Sequence, residues 1–400
     1  MIINSRKHKL KFLLIISLVL IGCNNNSDTI NTLSENLILV INVDKERIIK
    51  SAEEYLKKDP IPITDFTCDR SMGTKNDFYS EGDYWWPNPD DPEGPYIRRD
   101  GISNPDYFKE HREAMRNMSI QVATLTAAYK ITAYEKYANH AIKHLKVWFV
   151  NSDTKMNPNM NYAQAIKGIC PGRGVGLIDA IHLVEPARAI SVLKDLNAID
   201  DNLYRNLQEW FALLLEWMTT HEYGIDERER KNNHGTCWVM QAAEYARLTN
   251  NEDVLEYCRD RYKTVLLPNQ MAEDGSFPLE LKRTKPYGYS LFNIDIMSTV
   301  CYILSNEQEN LFTSRLEDGR GMELGMEFIY PYIKDKSQWP YEPDIMYWDE
   351  WPVRHPALLF SGIAFNNKNY IELWKILAPL PETQEGLRNF PIRQPIIWID

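Results

Sequence analysis

The residues best suited to chemistry stand in two short stretches. Lys231-Asn232-Asn233-His234-Gly235-Thr236 places two amides and an imidazole just before a helical pattern, Trp238, Gln241, Ala242, Tyr245, Leu248. An Asn there is ordinarily an N-cap, its side-chain oxygen taking a free N–H of the first turn. A cap needs only one such residue. The sharper reading is an amide and an imidazole aimed into a cleft at the positive end of a helix, where an anion is favoured. The second stretch, Asp274 to Asn293, carries a guanidinium at Arg283 and phenols at Tyr287 and Tyr289. Asp274-Gly275 marks a turn, and Pro286 and Gly288 are expected to keep the chain irregular until a helix begins at Ser290. Singly these are ordinary residues. His234 could be a satisfied structural histidine, the tyrosines packing residues, and Arg283 a partner for Glu280.

Together they answer one chemical problem, the breaking of a uronic-acid polymer by β-elimination. The C5 proton of a uronate is weakly acidic while the neighbouring carboxylate is ionised. Hydrogen-bond donors must neutralise that carboxylate and stabilise an enolate-like intermediate. Asn233 suits this task, with Arg283 as helper. A base must take the proton and an acid must protonate the leaving oxygen at C4. Tyr289 and His234 are the candidates. In D-mannuronate and D-glucuronate the C5 proton and the C4 oxygen lie on one side of the ring. A single phenol could then serve both steps, which favours Tyr289. His234 would donate to the carboxylate, assist as a base, or lower the tyrosine pKa.

The bulk composition allows this. Four hundred residues with 44% hydrophobic and 25% charged side chains can build a sizeable core. The formal charge of −11 argues against a nucleic-acid or anionic-membrane binder. An acidic polymer must therefore be met by local cations, and Lys231, Lys282, Arg283 and Lys285 flank the two stretches. Histidines are few and no HExxH is present, so neither metal nor cofactor is expected. The chain is expected to act as a monomer.

At the N-terminus, Arg6, Lys7, His8, Lys9 and Lys11 precede an apolar run from Phe12 to Gly22, the form of a secretory signal peptide. It ends Leu20-Ile21-Gly22-Cys23, which resembles a bacterial lipobox. Residues 1–23 are thus expected as a lipoprotein signal and Cys23 as the lipid-bearing residue, the chain's one link to a membrane. Residues 24–45 are read as a tether, and a periplasmic or cell-surface location follows. The five remaining cysteines have no CxxC spacing. A Cys68–Cys170 bridge is compatible with export, while Cys237, Cys258 and Cys301 read as small buried hydrophobes.

From 46 to 400 the spacing predicts one all-α domain. Helices are expected near 46–57, 107–130, 134–149, 176–194, 202–220, 235–249, 252–266, 290–304, 308–316, 321–333 and 369–377. Short connections make neighbours antiparallel hairpins. Ala127 to Thr132 followed by Tyr134 to Tyr137 echoes Ala243 to Thr249 followed by Val254 to Tyr257. Repeated hairpins of this kind close into an (α/α) toroid, or incomplete barrel, with irregular loops gathered at one mouth. Those loops include Tyr84-Trp85-Trp86, either a core plug or a platform for a sugar ring, and the glycine-flanked Arg173. The tail from Trp339 to Pro356 is expected to wrap the outside.

Three motifs in order resemble the alginate-lyase-domain proteins, helical-toroid polysaccharide lyases of bacterial exported proteins. They are Met156 to Gln164 with Gly172-Arg173-Gly174, Asn232-Asn233-His234-Gly235-Thr236, and Asp274 to Thr284 running through Tyr289-Ser290-Leu291-Phe292-Asn293. The resemblance spans roughly residues 60 to 310. It implies a catalytic group of Asn233, His234, Arg283 and Tyr289, with the tyrosine six residues after the arginine. It implies as substrate poly-β-D-mannuronate or β-1,4-glucuronan, which differ at C2. The chain departs from the pattern at Gly288, where relatives often carry His, and at Cys237-Trp238. Tyr84, Trp85, Trp86, Arg116, Asn117, Arg173 and Tyr287 are the expected substrate-binding residues. Two rivals remain: a toroid glycoside hydrolase using carboxylates among Asp274, Asp344, Asp349 and Glu350, and a non-catalytic glycan-binding lipoprotein.

Overall fold

The computed structural model describes residues 34–400, so the expected signal peptide and Cys23 lie outside the described residues. Helix α1 (Glu35–Tyr55) starts where the Ser34 hydroxyl accepts the Leu37 N–H at 3.1 Å. Residues 35–45, expected as tether, are therefore helix. Then come hairpins of an inner and an outer helix: α2 (Glu110–Thr132) with α3 (Glu135–Phe149), and α4 (Val184–Asp195) with α5 (Asp201–Thr220). After the short α6 (Glu222–Arg228) come α7 (Asn233–Thr249) and α8 (Glu252–Arg261). Two single turns, α9 (Leu267–Gln270) and α10 (Pro278–Leu281), lead to α11 (Pro286–Leu304) and α12 (Met322–Lys334). The array ends with α13 (Pro356–Ala364), α14 (Lys368–Ile376) and the turn α15 (Gln384–Arg388). Strand is minor: β1 (Tyr79–Glu81) pairs in parallel with β4 (Tyr162–Ala165), and β2 (Trp85–Trp86) pairs antiparallel with β3 (Ile97–Arg98).

The inner helices α2, α4, α7, α11 and α13 pack each on the next, with α3, α5, α8, α12 and α14 behind them and α1 behind α2. This is the expected incomplete toroid. Inner helices are apolar nearly all round because both sides are covered. Every residue of α11 is buried except Tyr302. The C-terminal segment completes the ring. Gln394 donates to Thr124 of α2 at 2.7 Å, Glu185 of α4 accepts from the Arg393 and Gln394 N–H groups, and Trp398 packs on Phe360 of α13. The sequence echo holds in the backbone: α2 and α7 both end on a left-handed residue, Ala133 and Asn250. Among the described residues no helix is long and apolar enough to cross a membrane.

Three further expectations are corrected, and the Cys68–Cys170 pairing left open by the sequence is decided. Residues 308–316 are not helical, because Asn306 and Asn310 turn their side chains onto the following N–H groups and compete with helix formation. Helix α11 starts at Pro286, not Ser290, since proline's fixed φ and missing N–H suit a first helical position. Cys68 and Cys170 are free thiols. The 339–356 tail does not wrap the outside: Trp339 and Trp351 are buried, and Asp344 sits under the start of α11. Helices α6 and α13 were unforeseen. The first is short and mostly polar, with Ile225 as its one aliphatic residue, and the second is a short apolar run with no polar face to reveal its period.

Asp295 joins α11 to α13, accepting from His355 Nδ1 at 2.7 Å and the Ala357 N–H at 3.1 Å in the core. Asp295→Ala leaves both donors unpaired and is expected to cost about 3 kcal/mol. The shift of the urea midpoint at unchanged slope measures it, and a shift within error would refute this role.

Candidate active site

The inner helices α7 and α11 begin at one mouth of the toroid, as does a 3-10 stretch, Gly174–Leu183, ahead of α4. Their dipoles point positive ends there, although carboxylates take the first N–H groups of α7 and α11. A cavity of about 330 Å³ opens between them, lined by Tyr84, Trp85, Arg173, Asn233, His234, Arg283 and Tyr289 among others. The structure thus brings together all four expected catalytic residues and three of the expected subsite residues.

Asn233 is the first residue of α7, and no side-chain cap is made by Asn232. Its side chain is held instead by the buried Glu280 of α10. The carboxylate accepts the Asn233 backbone N–H at 2.8 Å and the amide Nδ2 at 2.7 Å. One Nδ2 proton is thereby used, and the second is free for a ligand. Burial pushes the Glu280 carboxyl upward, and the two Asn233 donors oppose this by favouring the charged form. Glu280 is therefore Asn233's partner rather than that of Arg283. Next along, His234 Nδ1 lies 2.6 Å from Glu227 Oε1, a carboxylate fully buried on α6. That pairing orients the ring and leaves Nε2 as the nitrogen available to the cavity. Gly235 makes the approach of α6 feasible, because a Cβ there would lie 2.2 Å from the Arg230 carbonyl oxygen.

On the facing wall, the Tyr289 hydroxyl is 2.9 Å from that of Tyr84 and accepts from Arg283 Nη2 at 3.3 Å. The Arg283 guanidinium also lies 4.4 Å from the centre of the Tyr289 ring. Asp100, following β3, takes two donors of Arg283 at 3.1 and 3.0 Å. Burial drives the Tyr289 phenol well above its ordinary pKa and Tyr84 adds to this, while Lys285 and Arg283 pull it down. At neutral pH Tyr289 is therefore a phenol.

Charge sets the character of the cavity. Arg98, Arg173, Arg230, Arg283 and Arg388 line it against one carboxylate, Asp83, which is itself paired with Arg388. Arg173 is fixed by Gln164, its Nη2 donating to the side-chain oxygen at 2.7 Å and its Nε to the backbone carbonyl at 3.0 Å. A strongly acidic protein thus presents a cationic pocket.

Four expected subsite residues lie elsewhere. Tyr287 is fully buried, its hydroxyl donating to the Tyr332 carbonyl, because positions two apart on a helix face nearly opposite ways. Arg116 is buried and donates to Gln384 at 2.6 Å, off the main cavity. Asn117 lines a different cavity of about 640 Å³ between α1, α2 and α3, on the other side of α15. With Asp59, Glu110 and Glu113 against Lys58, that larger cavity is unsuited to a polyanion. Trp86 donates to the Ile102 carbonyl and stacks under Arg99 instead of entering the pocket.

Sequence reading missed the roles of Glu227, Glu280, Asp83, Asp100 and Arg388, which hold or line the site through tertiary contacts, most of them distant in the chain. The hydrolase carboxylates are committed elsewhere. Asp344 takes the first N–H groups of α11 although burial pushes it up to about 6, Asp274 accepts the Ser276 N–H, and Glu350 accepts from Glu382 and Thr383. Asp349 has a fully exposed side chain. Among the described residues no group of His, Cys, Asp and Glu is arranged to hold a metal ion.

The alginate lyase family model matches residues 65–339. Among solved structures, an alginate lyase from Bacteroides ovatus is 32% identical, covering 91% of this chain and 97% of its own, with a TM-score of 0.78. Alginate lyase A1-III from Sphingomonas species A1 shares the fold at 14% identity and TM-score 0.53, covering 88% of this chain and 94% of its own. A histidine-to-alanine variant of alginate lyase A1-III complexed with tetrasaccharide aligns with TM-score 0.58 at 14% identity, over 92% of this chain and 98% of its own. No curated protein matches the chain significantly. With its motifs in order, its helices arranged as an incomplete toroid and the family model covering most of its length, the chain belongs to the alginate lyase family and is a polysaccharide lyase.

Proposed function

We propose that this lyase cleaves poly-β-D-mannuronate stretches of alginate by β-elimination, with Tyr289 as the acid–base group. The observation that carries the reading is a cationic cavity with a pinned amide and imidazole on one wall and a guanidinium-clasped phenol on the other. The 32%-identical structure described as an alginate lyase supports mannuronate over glucuronate.

The substrate carboxylate sits against the free Nδ2 proton of Asn233, with the His234 ring, oriented by Glu227, beside it. The amide donor takes up the charge that develops as the C5 proton leaves. Arg283 has two donors committed to Asp100 and a third to Tyr289, so its main task is to hold the phenol oxygen. Tyr289, as phenolate, takes the C5 proton. The electron pair forms the C4–C5 double bond, the C4–oxygen bond breaks, and the same phenol returns its proton to the leaving oxygen. Arg173 and Trp85 carry a neighbouring sugar, the guanidinium standing 5.8 Å from the indole ring centre. We further infer export of the chain and lipid attachment at Cys23, which would hold it as a monomer on a periplasmic or cell-surface membrane.

Absorbance of the unsaturated uronate should rise on poly-mannuronate, and less or not at all on poly-guluronate, glucuronan and hyaluronan. Tyr289→Phe is expected to lower kcat by about 10²–10⁴-fold and Asn233→Ala by about 10²–10³-fold. Reducing ends without absorbance, or an active Tyr289→Phe, would sink the mechanism, and a preference for glucuronan would move the substrate.

Only the deprotonated phenol can act as base, and burial raises its pKa. The rate constant kcat/KM is therefore expected to climb with pH through the neutral and alkaline range; a profile falling over that range would contradict Tyr289 as base. For the anchor, Cys23→Ala should move the protein from the membrane fraction to the soluble fraction, and unchanged fractionation would overturn lipid attachment.

A further inference from the structure

Lys285 has no part in the cavity lining, yet it is buried beside the reacting phenol. Its ammonium lies 5.3 Å from the ring centres of both Tyr84 and Tyr289 and 5.4 Å from that of Tyr347. Among the described residues Glu385 of α15 is its one ion-pair partner, at 3.2 Å. A second, water-sized space is lined by Lys285, Tyr289, Tyr347 and Glu385, so Tyr289 has the substrate cavity on one side and this cation on the other.

The other charges around Tyr289 are largely committed. Asp83, ahead of Tyr84, pairs with Arg388, and Asp100 pairs with Arg283. Asp344 accepts two backbone N–H groups from the first turn of α11. His234, across the cavity on α7, is paired with Glu227. Arg388 shares Glu385 with Lys285 at 2.9 Å. The Lys285 ammonium is buried among three aromatic rings, and in such surroundings a point charge acts strongly over short distances.

We propose that Lys285 is a positioning residue for the elimination: its buried ammonium, set among the three tyrosine rings and tethered by Glu385, favours the charged form of the Tyr289 oxygen that takes the C5 proton. This rests on Tyr289 being the acid–base group. The direction of influence agrees, since Lys285 pulls the Tyr289 phenol down against burial. The ammonium itself persists: burial works against it, but the charged form of Tyr289 and the Glu385 carboxylate favour it and its pKa is raised. Glu385 then acts as a moderator, its negative charge cancelling part of the field that Lys285 exerts.

The test is the pH dependence of kcat/KM on poly-mannuronate for two charge-removing variants. Lys285→Met should move the limb on which activity rises to higher pH by about one unit, a roughly tenfold loss at a fixed pH below it, with KM little changed. Glu385→Gln should move the same limb to lower pH. Opposite shifts are the signature, because a packing role would make both variants lose activity without displacing the limb. Lys285→Arg, which keeps the charge, should restore the limb and serves as the folding control. Limbs that stay in place, shifts of one sign, or a rise in KM alone would each overturn the proposal. An active Tyr289→Phe would instead remove the mechanism on which it rests.

Discussion

The structure depends most on pairing buried carboxylates with buried cations around the mouth of the toroid. Arg112 is buried with Asp179 at 2.7 Å and Asp83 at 4.0 Å, and Asp83 reaches on to Arg388. Asp179 also accepts from Ser80 at 2.5 Å and from Gln164 at 3.2 Å, and Gln164 in turn fixes Arg173. An unpaired charge in such a place would cost several kcal/mol. The network therefore ties four parts of the chain to one geometry: the β1–β2 turn, the start of α2, the 3-10 stretch before α4, and α15. What remains after pairing is a surplus of guanidinium groups facing the cavity, which gives an acidic protein a place for a polyanion.

The same economy runs through the candidate catalytic side chains. Three of the four are held by a carboxylate outside the cavity lining, Asn233 by Glu280, His234 by Glu227 and Arg283 by Asp100, and Tyr289 is held by Arg283 in turn. A side chain fixed in this way reaches its ligand with little ordering left to do. The partners come from α10, α6 and the loop after β3, so the site is rigid only when the whole mouth is assembled. The helices contribute direction as well. With the inner helices starting at the same mouth, first-turn residues such as Asn233 and Tyr289 face a common space while the core holds the far ends.

Local pattern made much of this legible. The helical hairpins, the repeated turn at Thr132 and Thr249, and the grouping of Asn233, His234, Arg283 and Tyr289 could be read from spacing, chemistry and family resemblance. The errors share a cause. Tyr287 and Asn117 were judged by side-chain type, but helical phase turns one into the core and the other toward a second cavity. Treating Pro286 as a breaker delayed α11, and that delay hid the phase difference between Tyr287 and Tyr289.

The sequence by itself determined the all-α architecture, the approximate extent of most helices and a short set of side chains with the chemistry for elimination, because periodicity and side-chain chemistry are local properties. Only the tertiary structure decided which carboxylate holds which donor, which arginines face the cavity, and where Lys285 stands. Glu227, Asp100, Glu385 and Arg388 are acidic or basic residues like many others in the chain. Their roles arise from tertiary contacts, most of them between segments far apart in sequence, such as Arg283 with Asp100 and Arg388 with Asp83. Burial, which sets the ionisation of Tyr289, exists only once those segments have closed around it.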